Sequence, residues 1–232
     1  QDFGPIVELT AGGEKSVVIF DPDVYLKVQR ASGTCPVGAT DALWMLHAYF
    51  EKRQGDNKSM AYGTGEEWMR VRRLMQKGLF GPESAGEYGD RLHEVAKEAS
   101  SLIAKQQGTL QHFLQCLSFE MVSYSLLGTR MNSFTTKEPL LQATIRSMEC
   151  ASGMMMGPLQ KLNVTFETKI WRDWVRSVDY MLLRTEQIIR ESKNAPSSQT
   201  NQSKPYIQIL LEAGDLTEEE IVANIPGLMM AG

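Results

Sequence analysis

Cysteine is scarce in this chain: three residues in 232, Cys35, Cys116 and Cys150, at wide and irregular spacing. That excludes a disulfide scaffold and fits a reducing compartment. Nowhere does the sequence contain the roughly 18 to 20 consecutive apolar residues that span a bilayer. Neither sign of charge dominates, with 24 basic against 28 acidic residues for a net charge of −4, which gives no reason to expect a nucleic-acid partner. Histidine is equally sparse. His93-Glu94 is followed by Val95-Ala96-Lys97, so the second His of a zinc-protease helix is missing, and His47 and His112 have no partner at metal spacing. Gly63-Thr64-Gly65 lacks the third glycine and the preceding buried strand of a dinucleotide site. No Walker sequence and no Gly-x-Ser-x-Gly elbow occurs, which leaves nucleophilic hydrolysis without residues to carry it.

What is present is enough apolar sequence, 42% of residues, to bury a substantial core in one large domain or two small ones. No internal repeat is visible. Residues 5 to 9 and 16 to 20 read as two strands around Ala11-Gly12-Gly13. Asp21-Pro22 then caps a helix, because Asp accepts from free N–H groups and Pro is preset for the first turn. A short helix is expected around Asp41 to Arg53 within a stretch interrupted by Gly33, Pro36, Gly38 and Gly55.

Three later segments carry helical periodicity. One stripe runs through Leu92, Val95, Ala96, Ala99, Leu102 and Ile103, and a second through Leu110, Phe113, Leu114, Leu117, Met121 and Val122. The longest includes Trp171, Trp174, Val178, Met181, Ile188 and Ile189, on a helix from about Val164 to Ser192. These are packing surfaces. The polar run Asn194 to Ser203 reads as a mobile loop, and Thr217 with Glu220 forms a capping box before Ile221. Pro226-Gly227 falls inside the following helix, at a cost of roughly 3 kcal/mol for the proline and about 1 kcal/mol for the glycine. Either that helix is kinked there, or the sequence carries an error near its end.

The chemically pointed feature is Trp68 with Arg72, in Gly65-Glu66-Glu67-Trp68-Met69-Arg70-Val71-Arg72-Arg73. On a helix these two side chains share a face and sit about 6 Å apart along the axis, so both donors can converge on one carboxylate. Arg brings a planar fork and Trp one indole N–H. The bland reading is an amphipathic helix with a core Trp and solvated Arg residues. Arg70, Arg72, Arg73 and Lys77 also make a local basic patch, which a bound acid would explain.

In this context the stretch resembles helix C of the cytochrome P450 family, whose Trp-x-x-x-Arg pair holds the haem propionates. Phe3-Gly4-Pro5-Ile6-Val7 is similar to the opening of that family's first sheet, and Val17-Val18-Ile19-Phe20-Asp21-Pro22 to its second strand and helix cap. Thr168-Lys169-Ile170-Trp171-Arg172-Asp173-Trp174-Val175 resembles the run that opens helix G in the mitochondrial-type branch. Ile221-Val222-Ala223-Asn224, with Ala231-Gly232, is similar to the start of helix I. The resemblance implies a mainly α fold with a small N-terminal β-sheet, a partial P450 fold from approximately helix B to the start of helix I. It implies one partial domain over residues 1–232, with residues 1–20 as the sheet and 21–232 as the helical part.

The same resemblance implies haem b, held through its propionates by Trp68 and Arg72, with Ala231 and Gly232 at the distal oxygen site. Its iron is ligated by a Cys in a loop that this chain does not contain; none of Cys35, Cys116 and Cys150 has that context. The expected activity is that of a larger parent: haem-thiolate monooxygenation of a hydrophobic, sterol- or steroid-like substrate, the fragment alone being inactive. Trp44, Met154 and Met155 are expected at the substrate. The Met residues serve equally well as core filler. Implied partners are a ferredoxin-type electron donor with its NADPH-dependent reductase, and implied placement is peripheral on the mitochondrial inner membrane, matrix side, or alternatively the endoplasmic reticulum membrane. Any targeting segment would precede Gln1. The alternative function is a non-catalytic helical module that binds lipid or protein in a groove between the apolar stripes.

Overall fold

Alternating residues on either side of Gly12-Gly13 form a hairpin. Strand β1 (Ile6–Ala11) pairs antiparallel with β2 (Glu14–Ile19), in register from Ile6 opposite Ile19 to Ala11 opposite Glu14. The computed structural model describes residues 4–11, 14–34, 43–53, 59, 63–79, 84–105, 108–157, 161–194 and 204–231. Cys35, the polar stretch 195–203 and Gly232 lie outside the described residues.

The Asp21 carboxylate accepts from the backbone N–H groups of Asp23 at 2.8 Å and Val24 at 3.0 Å, and so starts α1 (Pro22–Ala31) as the sequence predicts. Neither the hairpin nor α1 belongs to the core: α1 has no buried residue, and Val17 and Phe20 keep more than 60% of their surface exposed.

The core is helical. It comprises α2 (Trp44–Lys52), α3 (Gly65–Leu79), α4 (Ser84–Leu102), α5 (Leu110–Leu127), α6 (Pro139–Met156), the single turn α7 (Leu162–Thr165), α8 (Lys169–Asn194), α9 (Tyr206–Ala213) and α10 (Glu218–Ala231). Local chemistry sets the ends. Thr109 accepts from His112 N–H to begin α5, and Gly128, at φ +70°, closes it. At α10 the capping box is reciprocal, with Thr217 N–H donating to Glu220 at 2.7 Å and Glu220 N–H to the Thr217 hydroxyl at 3.3 Å.

Two expectations need correction. The long helix does not begin near Val164: α7 stops at Thr165, Glu167 takes φ +44°, and α8 begins at Lys169. Thr168 holds this break, its N–H and hydroxyl both donating to Asn163. The second concerns the stripes. Leu110 and Leu114 of α5 and Ile103 beyond α4 are about half exposed, whereas Phe113, Cys116, Phe119 and Glu120 are buried.

The helices pack into two apolar clusters. The larger joins α3, α5 and the far half of α8 to α9 and α10 through residues such as Met75, Ile189, Tyr206 and Ile225. The smaller joins α2 to the end of α6 and the start of α8, around Met45, Tyr49, Met154, Trp171 and Trp174. Fully burying one such side chain contributes about 1.5 to 3 kcal/mol. Helices α6 and α8 run antiparallel and in close contact, since Arg146 reaches Asp173 while Gly153 lies against Ile170. Among the described residues no helix is long and apolar enough to cross a membrane.

Candidate functional site

Two places in this framework bear chemistry. The first is the outer face of α3. Trp68 is half-buried and Arg72 exposed one turn later, with the guanidinium carbon over the indole at 5.1 Å from its centroid. Arg72 is exposed in this position, so its guanidinium remains accessible from solvent. Glycine at 63 permits the arrangement: a Cβ there would stand 3.2 Å from Trp68 Cβ and Cδ1.

The rest of the basic patch is partly consumed by the fold. Arg70 pairs with Glu67 and with the buried Glu220, and Lys77 lies 3.4 Å from Asp215. The hydrogen bond to Glu67, reinforced by that to Glu220, raises Arg70 above the ordinary guanidinium value. The expectation of four cations offered to one acid is therefore reduced to two. Arg72 and Arg73 form no ion pair among the described residues.

The second place is an apolar cavity of about 190 Å³ at the seam of the two clusters. Helix α2 covers it with Met45, Leu46 and Phe50. Helix α6 contributes Ser147, Met148 and Ala151, at spacings of one and four. Trp174, Val178 and Met181 of α8 and Ala223, Pro226, Gly227 and Met230 of α10 follow the helical repeat of one face. Pro226 thus stands at the cavity wall in a helix that continues through it, and it has no N–H to offer the Val222 carbonyl.

The sequence-derived substrate residues lie beside this cavity and do not line it. Trp44 is half-buried against the smaller cluster, while the next two residues of α2 face inward. Met154 has no exposed surface and packs in that cluster, and Met155 is 39% exposed. Successive helix positions diverge by about 100°, so one residue of offset decides which side chain meets the cavity. Ala231 is exposed at the last position of α10, with Met230 at the wall. The residues missed were Ser147, Met148 and Ala151; the signal available was Pro226-Gly227, a costly pair at a buried position.

Cys116 and Cys150 are free and buried, and burial pushes both thiols up, so neither is a ready thiolate. Among the described residues no cluster of His, Cys, Asp or Glu could hold a metal ion.

Set beside known proteins, the whole chain, residues 1–232, matches the family model for cytochrome P450. The chain belongs to the cytochrome P450 family. Sterol 26-hydroxylase, mitochondrial, of Rattus norvegicus is 24% identical across 99% of this chain and 46% of its own length. The mitochondrial 25-hydroxyvitamin D-1 alpha hydroxylase of Mus musculus is 22% identical over 99% and 49%. The mitochondrial cholesterol side-chain cleavage enzyme of Oncorhynchus mykiss is 23% identical over 99% and 47%. The chain thus spans about half the length of the curated relatives it matches. As a P450 chain it has the expected composition of elements, a small antiparallel sheet followed by helices.

Proposed function

We propose that this chain is the N-terminal half of a haem-thiolate monooxygenase acting on a hydrophobic, sterol- or steroid-like substrate, as part of a single P450 domain whose ligand cysteine lies outside the present sequence. The observation that carries the proposal is the Trp68–Arg72 cation–π pair, an exposed fork without a carboxylate partner among the described residues, in a chain that matches the P450 family throughout. When bound, haem would supply the activation of molecular oxygen, one atom passing into the substrate and the other leaving as water.

The residues of this chain bind, orient and exclude. Trp68 and Arg72 would hold the propionates, each charge-assisted bond contributing on the order of 1.5 to 3 kcal/mol when partly desolvated. Contact with the indole restrains the Arg72 side chain before the acid arrives, so less freedom is lost on binding. The walls contributed by α2, α6, α8 and α10 would seat one end of the substrate and keep water from it. A cavity of about 190 Å³ is smaller than the roughly 300 to 1,000 Å³ of pockets that enclose a whole ligand, so the remainder of a sterol-sized molecule extends beyond it. Ala231 and Gly232 would leave room at the distal face. A ferredoxin-type donor with its NADPH-dependent reductase would supply electrons; the mitochondrial names of the relatives support a mitochondrial location, within which a peripheral position on the matrix side of the inner membrane is part of the proposal.

The test is haem retention in the full-length protein. Wild type is expected to show the carbon-monoxide difference band of thiolate-bound ferrous haem, and Arg72→Ala to retain several-fold less haem. Undiminished haem in that variant would overturn the propionate role, and a full-length protein that never carries haem would leave a helical lipid- or protein-binding module in its place.

A further inference from the structure

Several hydroxyl side chains in this molecule's helices turn back on their own backbone, while those of Ser123, Ser125 and Thr185 are buried with no hydrogen-bond partner among the described residues. Thr144 donates to Leu140 O at 2.8 Å, Ser100 to Ala96 O at 2.8 Å and Ser177 to Asp173 O at 3.0 Å, each across four residues. Ser147, on the same helix as Thr144 and 1% exposed, does otherwise. Its hydroxyl leaves α6 and meets the Met230 sulfur of α10 at 3.8 Å, its only hydrogen-bond partner among the described residues. A thioether is a weak acceptor. The donor is therefore held at the cavity wall by a weak partner, at little cost to whatever replaces the sulfur.

The surroundings of this hydroxyl are largely apolar. Besides Ser147, the wall offers only the Ser59 hydroxyl, which is engaged in a contact of its own, and the indole N–H of Trp174; the other lining side chains are apolar. On the α10 side Gly227 exposes backbone to the space: a Cβ built there meets no atom within 4 Å. A flat apolar ring can lie against that strip of main chain while an oxygen on the ring reaches Ser147 on α6.

We propose that Ser147 is a specificity-determining residue of this cavity, donating its hydroxyl proton to one oxygen function, a hydroxyl or a ketone, on an otherwise apolar ligand and exchanging Met230 sulfur for that oxygen. This rests on the reading of the cavity as the substrate's seat. An unsatisfied buried donor is costly, so a ligand lacking the oxygen leaves Ser147 on its weak partner and binds less well.

The experiment is equilibrium dialysis of the full-length protein against cyclodextrin-solubilised cholesterol and against its 3-deoxy hydrocarbon, 5-cholestene. Wild type is expected to prefer cholesterol by roughly three- to tenfold, the worth of one neutral hydrogen bond. Ser147→Ala is expected to bind the two alike, and Ser147→Thr, which keeps the hydroxyl, to recover the preference. Gly227→Leu, whose Cβ meets no neighbouring atom within 4 Å, adds a side chain at the wall and is expected to weaken both probes. If the preference survives in S147A while G227L weakens both, Ser147 is not the determinant and the cavity reading stands. Wild type without preference overturns the Ser147 assignment. Undiminished binding in G227L, or no binding of either probe by wild type, overturns the cavity reading and Ser147 with it.

Discussion

The Tyr49 hydroxyl donates to the Asp179 carboxylate at 2.6 Å, joining α2 to α8 across 130 positions of sequence. Tyr49 is buried, and its phenol is pushed well above the usual value by that burial first and by the bond to Asp179 second. Arg53 reaches the other oxygen of the same carboxylate, and Lys52 donates to Glu167 at 2.7 Å and to Val164 O at 3.1 Å. The helix that covers the cavity is thus fastened by a polar edge as well as by Met45. Tyr49→Phe removes one bond and leaves the ring in place, so α2 should open more readily. Amides of residues 44–52 are expected to exchange with deuterium on the order of tenfold faster, as the loss of about 1.4 kcal/mol predicts. Unchanged exchange there would refute this role.

Glu120 of α5 has no exposed surface and accepts from Arg130 Nε at 2.9 Å and from the N–H groups of Ser133 at 2.6 Å and Met131 at 3.3 Å. Arg130 in turn meets Glu94 and Glu98 of α4. Glu120→Ala strands two buried N–H groups and one arm of the cation, and is expected to cost about 3 kcal/mol or more in urea unfolding. A loss below about 1 kcal/mol would show that water replaces the carboxylate.

Glycine at 78 lets α3 and α9 approach. A Cβ there would stand 2.9 Å from two ring carbons of Tyr206, whose ring is fully buried and whose hydroxyl is bound to Met75 O. Gly78→Ala is expected to destabilise by about 1 to 2 kcal/mol, overpacking outweighing the gain of about 1 kcal/mol in helix propensity. Gly89 of α4 has open space around it and serves as the control, where alanine should be neutral or stabilising.

Lys169 first and Arg146 second, the latter at 2.7 Å, pull Asp173 down to about 2 from 3.8. A carboxylate lowered on folding adds stability above its unfolded value, and that contribution disappears as pH falls through its folded value. Asp173→Asn should therefore be less stable than wild type at neutral pH, with the difference closing between about pH 4 and pH 2. A difference that stays constant through that range would exclude the ion pair as its origin.

Elements with punctuation of their own were legible in the sequence. Asp21-Pro22 and the Thr217/Glu220 box each carry donors and acceptors that act within four residues, so the start of a helix follows from local chemistry alone. The packed face of α5 was harder to read. That helix is apolar on several sides, and periodicity cannot choose among them; burial of Glu120 depends on Arg130, which no local pattern announces. At the candidate site, Trp68 and Arg72 were readable because their relation spans a single turn. Cavity residues were missed because Ser147 acquires meaning only when α10 is laid against α6, a juxtaposition 83 positions away in the chain.

Pro226 divides α10 by interrupting the ladder through which neighbouring peptide units reinforce one another. The leading segment is moored by Glu220 to Arg70, and the trailing segment carries Gly227 and Met230 at the wall. The cavity thus borders the segment beyond the missing bond, whereas the tie to the α3 face that bears Trp68 and Arg72 is made by the segment before it.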